Sequence, residues 1–293
     1  MKPRLVKGAF WLFSKLPLSA AHFFGAFFGY LVWFFPNKSR QVASTNIALC
    51  LPELEARAQH RLCRRALLET GKTLFETGPL WHLNPEHFDR LMVDEQGREA
   101  VDAAMATGRG VIMITPHLGS WEMGGHYCAR HWQITNLYRP PRMRALEELI
   151  VAGRTRLGAG VAPTTAQGIR LLYQRLRAGG MVGILPDQDP GDSGGVFAPF
   201  FGIPANTMLL LGRLARKTGA AVFLGYCERL PGLAQGYRAY FTPAPAGIDD
   251  PDPVLAASAL NRGVEQLVRM KPEQYQWGYR RFRTRPEGKQ RIY

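Results

Sequence analysis

The chain has 293 residues, 46% of them hydrophobic and 20% charged, a balance that excludes disorder and supplies apolar surface for a large core. Its formal net charge of +14 excludes a surface built for cationic partners and points to nucleic acid, acidic lipid or an acidic protein, among which charge alone does not choose. Cys50, Cys63, Cys128 and Cys227 are scattered without a CxxC pair, which excludes a disulfide scaffold; they read as reduced core thiols of a cytoplasm-facing protein.

From Leu16 to Asn37 no Asp, Glu, Lys or Arg occurs. A helix of about 20 residues spans roughly 30 Å, the thickness of a hydrocarbon core. Lys2, Arg4, Lys7 and Lys15 precede the run, Lys38 and Arg40 follow it, and Trp11, Tyr30 and Trp33 sit where interfacial aromatics belong. The run is too long for a cleaved signal peptide and has no A-x-A site. The expectation is a membrane anchor over residues 1–35, spanning or lying in the membrane, with a buried helix as the alternative; Gly25 and Gly29 would then pack it on the domain. Basic residues on both flanks leave its orientation open.

Beyond Pro36, residues 36–293 read as one domain. The spacing of apolar residues predicts a helix over 54–77 and another over 95–107, closed by Gly108. GVIMIT (110–115) reads as a buried strand, 119–130 as a helix, and ITNLYR (134–139) as a strand ended by Pro140-Pro141. Helices follow over 143–157 and 166–178, then a buried strand MVGILP (181–186) and a Gly/Asp/Pro-rich loop from 187 to 195. A helix over 206–218, strands over 220–228 and 236–244, and a helix over 253–270 complete the series. Strands alternating with helices predict an α/β fold, a mainly parallel central sheet flanked by helices.

Chemistry concentrates where strand 110–115 ends. Ligands of open parallel sheets bind beyond the carboxyl ends of strands, and His117 falls there, with Glu122 in the first turn of the next helix. A carboxylate accepting from one imidazole nitrogen leaves the other as a base, which proton abstraction from a hydroxyl requires. HxxxxE is a weak pattern, equally met by a solvated loop histidine and a carboxylate favoured by a helix N-terminus. Gly191-Asp192-Ser193-Gly194-Gly195 satisfies G-x-S-x-G, but Pro190 precedes and VFAPFF follows, the wrong flanks for a nucleophile elbow. Gly71-Lys72-Thr73 lacks the upstream glycine of a phosphate loop, and Glu122 with His126 lacks a third metal ligand. The C-terminal stretch sets Arg280, Arg281, Arg283, Arg285, Lys289 and Arg291 against Glu287 alone, as an RNA-binding tail or a lipid-headgroup surface would.

HLGSWE (117–122) is similar to the HxxxxD/E box of glycerolipid acyltransferases. LPDQDPG (185–191), GVFAPFFGIPANT (195–207) and PEQYQWGYRRFRTRPEG (272–288) resemble the late acyltransferases of lipid A biosynthesis, in order and over nearly the whole chain. The resemblance implies an acyltransferase-like fold and a bacterial inner-membrane enzyme with its catalytic domain facing the cytoplasm. It implies acyl carrier protein as acyl donor, a lipid A precursor as acceptor, and neither cofactor, metal nor nucleic acid. By the same resemblance His117 is the base and Glu122 its orienter. Arg154 would stabilise a developing oxyanion or an anionic headgroup, Asp187 would anchor such an arginine, and Arg139, in the YRP turn, falls on a substrate-binding position. Two readings of other classes stand beside it: a serine hydrolase at Ser193, and a non-catalytic basic module for membrane or RNA.

Overall fold

The structure is a computed structural model and describes residues 8, 13–141, 143–191 and 194–293. Three helices open it: α1 (Leu18–Phe34), α2 (Lys38–Cys50) and α3 (Ala56–Leu80). A short helix α4 (Pro85–Leu91) leads into β1 (Met92–Gln96), α5 (Arg98–Ala106), β2 (Val111–Ile114) and α6 (Trp121–Trp132). Then come β3 (Thr135–Tyr138), α7 (Arg144–Thr155), β4 (Gly160–Pro163), α8 (Ala166–Arg177) and β5 (Met181–Ile184). The chain finishes with β6 (Gly195–Phe200), β7 (Ile203–Met208), α9 (Leu210–Thr218), β8 (Ala221–Arg229), β9 (Tyr237–Pro243), α10 (Pro253–Met270) and a 3-10 turn at Pro272–Gln274.

The central sheet has the order β1-β9-β8-β2-β5-β3-β4, parallel throughout except for the antiparallel pair β8–β9. Every residue of β2 and β5 is buried, as a sheet covered on both faces demands. Side chains alternate across β2: Ile112 and Ile114 face a core shared with α2, α3, α8, α9 and α10, whereas Val111 and Met113 face a second core with α4, α5 and α6. The four cysteines are buried free thiols.

The predicted strands and the α/β class match this architecture, and several elements differ. Residues 92–96 are a strand rather than the approach to a helix, β4 and α4 were not anticipated, and β6 pairs antiparallel with β7 in a separate hairpin. The helix expected from 206 therefore begins only at Leu210.

The N-terminal run also behaves differently from its composition. Helix α1 has 17 residues, and among the described residues no single helix is long and apolar enough to cross a membrane; α1 and α2 meet at a bend of 82°. Lys2, Arg4, Lys7 and Trp11 lie outside the described residues. One face of α1 is built into the domain. A Cβ on Gly25 or Gly29 would run into the α3 backbone at Gly71 and Leu67, so only glycine permits this approach. Beside that seam His22 reaches a buried network in which Glu76 of α3 accepts from Arg229 Nε of β8 at 2.9 Å and from the Tyr237 hydroxyl of β9 at 2.8 Å. The opposite face leaves Phe23, Phe24, Phe27, Phe28 and Phe34 exposed.

Candidate active site

The residues after β2 are pinned on three sides. Thr115 N donates to Ile184 O of β5, Gly119 N to Gln274 O, Ser120 N to Cys227 O of β8, and Gln276 N returns a bond to His117 O. Gly119 has φ +64°, and a Cβ there would strike the Cys227 carbonyl oxygen, so the loop needs glycine twice over. This bracing fixes the backbone that carries His117.

His117 faces Asp187 across the β2–β5 seam. Its backbone N–H donates to one carboxylate oxygen at 2.9 Å, and its ring Nδ1 lies 2.7 Å from the other. The carboxylate accepts, so Nδ1 carries the proton and Nε2 presents its lone pair. Burial works to raise the Asp187 carboxyl, but the adjacent imidazole and these hydrogen bonds outweigh it and hold the group below the usual carboxylate range. Tyr275 is buried alongside; burial and the Asp187 charge push its phenol well above its ordinary value. The Gln188 side-chain amide stands 3.3 Å from His117 Nε2, and the Trp121 ring meets the imidazole edge-on at 5.0 Å.

Glu122 is not the partner of this imidazole. Its carboxylate receives Arg154 Nη2 at 2.6 Å and Nε at 3.1 Å, and the Trp81 indole at 2.8 Å. Starting in the first turn of α6, it is drawn toward α7 and the end of α3, away from the loop. Burial opposes its charge, yet Arg154 and Trp81 hold it below the usual range, and Glu122 in turn raises Arg154. The expectation that Glu122 orients His117 and Asp187 anchors Arg154 is therefore corrected: the two carboxylates exchange partners. The two pairs are joined through Trp121, which packs on His117 and lines the pocket of Glu122 and Arg154, and so form one cluster at the carboxyl edge of the sheet. Arg139 follows β3 on that edge but is exposed and outside the cluster.

His126, suggested by spacing as a metal ligand beside Glu122, is buried, and its Nε2 has no hydrogen-bond partner among the described residues; burial and Arg154, against Glu122, lower it to about 4. It lines a small open pocket with Trp121, Asn136, Leu137 and Arg154. Ser193 lies outside the described residues, and Gly195 opens strand β6 rather than the helix an elbow requires. The basic C-terminal run divides. Arg281 is buried and donates to Asn206 O at 2.6 Å and Thr207 Oγ1 at 2.8 Å, whereas Arg280 and Arg283 are exposed. A groove of about 760 Å³ beside the site is lined by Phe28, Val32, Leu67 and Leu74 together with Gln188 and Gln276.

The sequence profile of the bacterial lipid A biosynthesis acyltransferases matches residues 4–284. The chain belongs to that family. It is 31% identical over 288 residues to the lipid A biosynthesis palmitoleoyltransferase of Escherichia coli (strain K12), covering 98% of this chain and 92% of the relative. To the lipid A biosynthesis lauroyltransferase of the same organism it is 28% identical over 282 residues, 96% and 91% of the two chains. A phosphatidylinositol mannoside acyltransferase of Mycobacterium tuberculosis (strain ATCC 25618 / H37Rv) is 30% identical over 148 residues, 49% of this chain and 46% of its own. The chain is thus an acyltransferase of the lipid A type.

Sequence reasoning missed three residues in this candidate site. Gln188 adjoins Asp187 in the LPDQDPG block and was there to be read. Tyr275 lies in another of the quoted blocks but carries no chemical signal by itself. Trp81 stands 41 positions before Glu122, with nothing local to connect them.

Proposed function

We propose that this acyltransferase moves a fatty acyl group from acyl carrier protein to a hydroxyl of a lipid A precursor, with His117 as general base. The observation that carries the reading is the grip of both Asp187 oxygens on one residue, which leaves His117 Nε2 as the acceptor beside an apolar groove. The acceptor hydroxyl replaces the Gln188 amide at Nε2 and gives up its proton as its oxygen attacks the thioester carbonyl. The imidazolium so formed faces Asp187. Collapse of the tetrahedral adduct forms the ester and expels the carrier thiolate, which recovers the proton from Nε2. The step as written uses no acyl-enzyme, metal or nucleotide.

Glu122 serves this chemistry through Arg154, a clamped cation poised for an anionic group of substrate or for the developing oxyanion, and Arg139 meets charge farther out on the same edge. We place the enzyme at the bacterial inner membrane with this site toward the cytoplasm, the exposed phenylalanines of α1 against lipid.

The test is transfer by purified protein from acyl carrier protein to a lipid A precursor, read by mass spectrometry. His117→Ala is expected to lose about 10²–10⁴ in turnover; near-normal transfer by that variant would overturn the assignment. A different glycolipid acceptor is the second reading, motivated by the half-chain similarity to a phosphatidylinositol mannoside acyltransferase, and offering both acceptors decides between them.

A further inference from the structure

We propose that a basic groove lined by Lys38, Arg280 and Arg283 holds the phosphate-type head of the acceptor, while its acyl chain lies in the apolar groove beside His117. The inference rests on the acyltransfer reading and assigns the residues that hold the two parts of its acceptor, the charged head and the apolar chain.

The basic groove has a volume of about 890 Å³ and is lined by Ser39, Val42, Gly278 and Tyr279 besides its three cations. The apolar groove shares Ser39, Gly278 and Tyr279 with it, so the two meet at one neck. Phe28, Val32 and Leu74 wall the apolar groove, and its lining includes Gln188, whose amide stands 3.3 Å from His117 Nε2. The charges come from opposite ends of the chain, Lys38 from the start of α2 and the two arginines from the C-terminal segment, and the fold brings them together.

All three cations are exposed, and none joins an ion pair among the described residues. Their neighbours Arg281 and Arg285 are engaged by the carbonyls of Asn206 and Pro204, and of the exposed basic residues of this segment Arg280 and Arg283 are the ones that line the groove. Lys38 also opens a helix of 13 residues, whose first amides and dipole favour an anion. A carrier protein would need only the charges. The apolar trough behind them, with Phe28 and Leu74 43% and 62% exposed along it, fits a lipid chain attached to the charged head.

The experiment uses the full chain in mixed micelles with two acceptors, the phosphorylated precursor and the same glycolipid after phosphatase treatment. A triple variant, Lys38→Gln with Arg280→Gln and Arg283→Gln, is expected to raise KM for the phosphorylated acceptor tenfold or more. Its KM for the dephosphorylated acceptor, its donor KM and its kcat should stay within twofold of wild type. Gly278→Leu is the second variant. Gly278 does not have a left-handed φ, and the nearest atom to an added Cβ is Ser39 O at 3.9 Å, so the backbone admits a side chain at the neck. It should impair both acceptors at unchanged Tm. Equal KM shifts for the two acceptors, or a shift confined to the acyl donor, would overturn the assignment, the latter giving the surface to the carrier protein. Wild-type transfer to neither acceptor would remove the acyltransfer reading itself, and this assignment with it.

Discussion

Asp187→Asn tests the catalytic arrangement at constant side-chain size. Asp187 receives two donors from one residue, the backbone N–H of His117 at 2.9 Å and its Nδ1 at 2.7 Å. An amide has a single acceptor oxygen, so one donor must meet an NH₂ group. If the oxygen stays on Nδ1, the buried backbone N–H loses its partner. If the amide turns, the imidazole proton moves to Nε2, and the base is lost to the wrong tautomer. Either way the charge that stabilises the imidazolium is gone. Loss of the corresponding carboxylate from a Ser-His-Asp triad lowers kcat by about 10⁴, and general acid–base groups contribute about 10²–10⁴. At about 1.36 kcal/mol per tenfold, the expected barrier increase is roughly 2.7–5.4 kcal/mol. The structural loss is smaller, one hydrogen bond of about 1 kcal/mol, or roughly 1–2 °C in Tm for a chain of this size. Steady-state kinetics and thermal melts of Asp187→Asn, Glu122→Gln and the double variant with His117→Ala separate the terms; the double variant should be little worse than His117→Ala. The reasoning fails if Asp187→Asn stays within tenfold of wild type while Glu122→Gln loses a hundredfold at unchanged Tm, for then Glu122 orients the base after all.

Three further outcomes follow from the same contacts. Glu122→Gln leaves the Arg154 guanidinium without its counter-charge; with that side chain 21% exposed, screening trims the cost to about 2 kcal/mol, a Tm loss of roughly 3 °C that adding Arg154→Met should partly recover in a thermal-shift series. Gly119→Ala, forced into the Cys227 carbonyl at φ +64°, should lower both Tm and turnover, whereas Gly108→Ala, at φ +71° with open space around it, should lower Tm slightly and leave turnover intact. Burial works against the Glu76 charge, but Arg229 and His22 hold this carboxyl well below its usual range. Its stabilisation is therefore complete above the unfolded value near 4.3 and is lost as pH falls from there toward the folded one. Melts between pH 7 and pH 3 should show Tm falling below about pH 4 and a shallower fall in Glu76→Gln, which starts from a lower Tm at neutral pH.

Much of the fold was open to reading, because its central strands are buried on both faces and so appear as unbroken apolar runs. VIMI and MVGI are β2 and β5. The misses have physical causes. MVDEQ is a peripheral strand, mostly exposed, with little apolar signal. In the hairpin β6–β7, Pro199 stands opposite Pro204, a pairing that strand patterns argue against, and the apolar residues from Met208 onward pull a helix start too early. Helix α1 is a separate case. Its composition is that of a membrane span, but the glycines that seat it on α3 count as apolar in any composition and reveal their role only once the partner helix is known. Arg281 shows the same limit among the charges: five basic neighbours suggest one solvated surface, and only the fold turns this one inward.

The pairing within the site was the subtlest miss, yet it is encoded. Two carboxylates and two cationic or protonatable partners can be matched in two ways, and the HxxxxE spacing favours the local match, His117 with Glu122. The parallel register decides otherwise. β2 and β5 are neighbours with Ile114 opposite Ile184, and each strand continues through one residue and a proline, Thr115-Pro116 and Leu185-Pro186. Three residues beyond the last pair stand His117 and Asp187, equivalent positions on adjacent strand ends, which is why an aspartate's short reach suffices to hold both the ring and the backbone of the histidine. Glu122 starts a helix that leaves this seam, and its longer side chain spans the gap to Arg154 instead. In this chain the acidic end of the HxxxxE box thus marks an arginine clamp, and the partner of its histidine is written seventy positions later, legible only to a reader who first sets the two strands side by side.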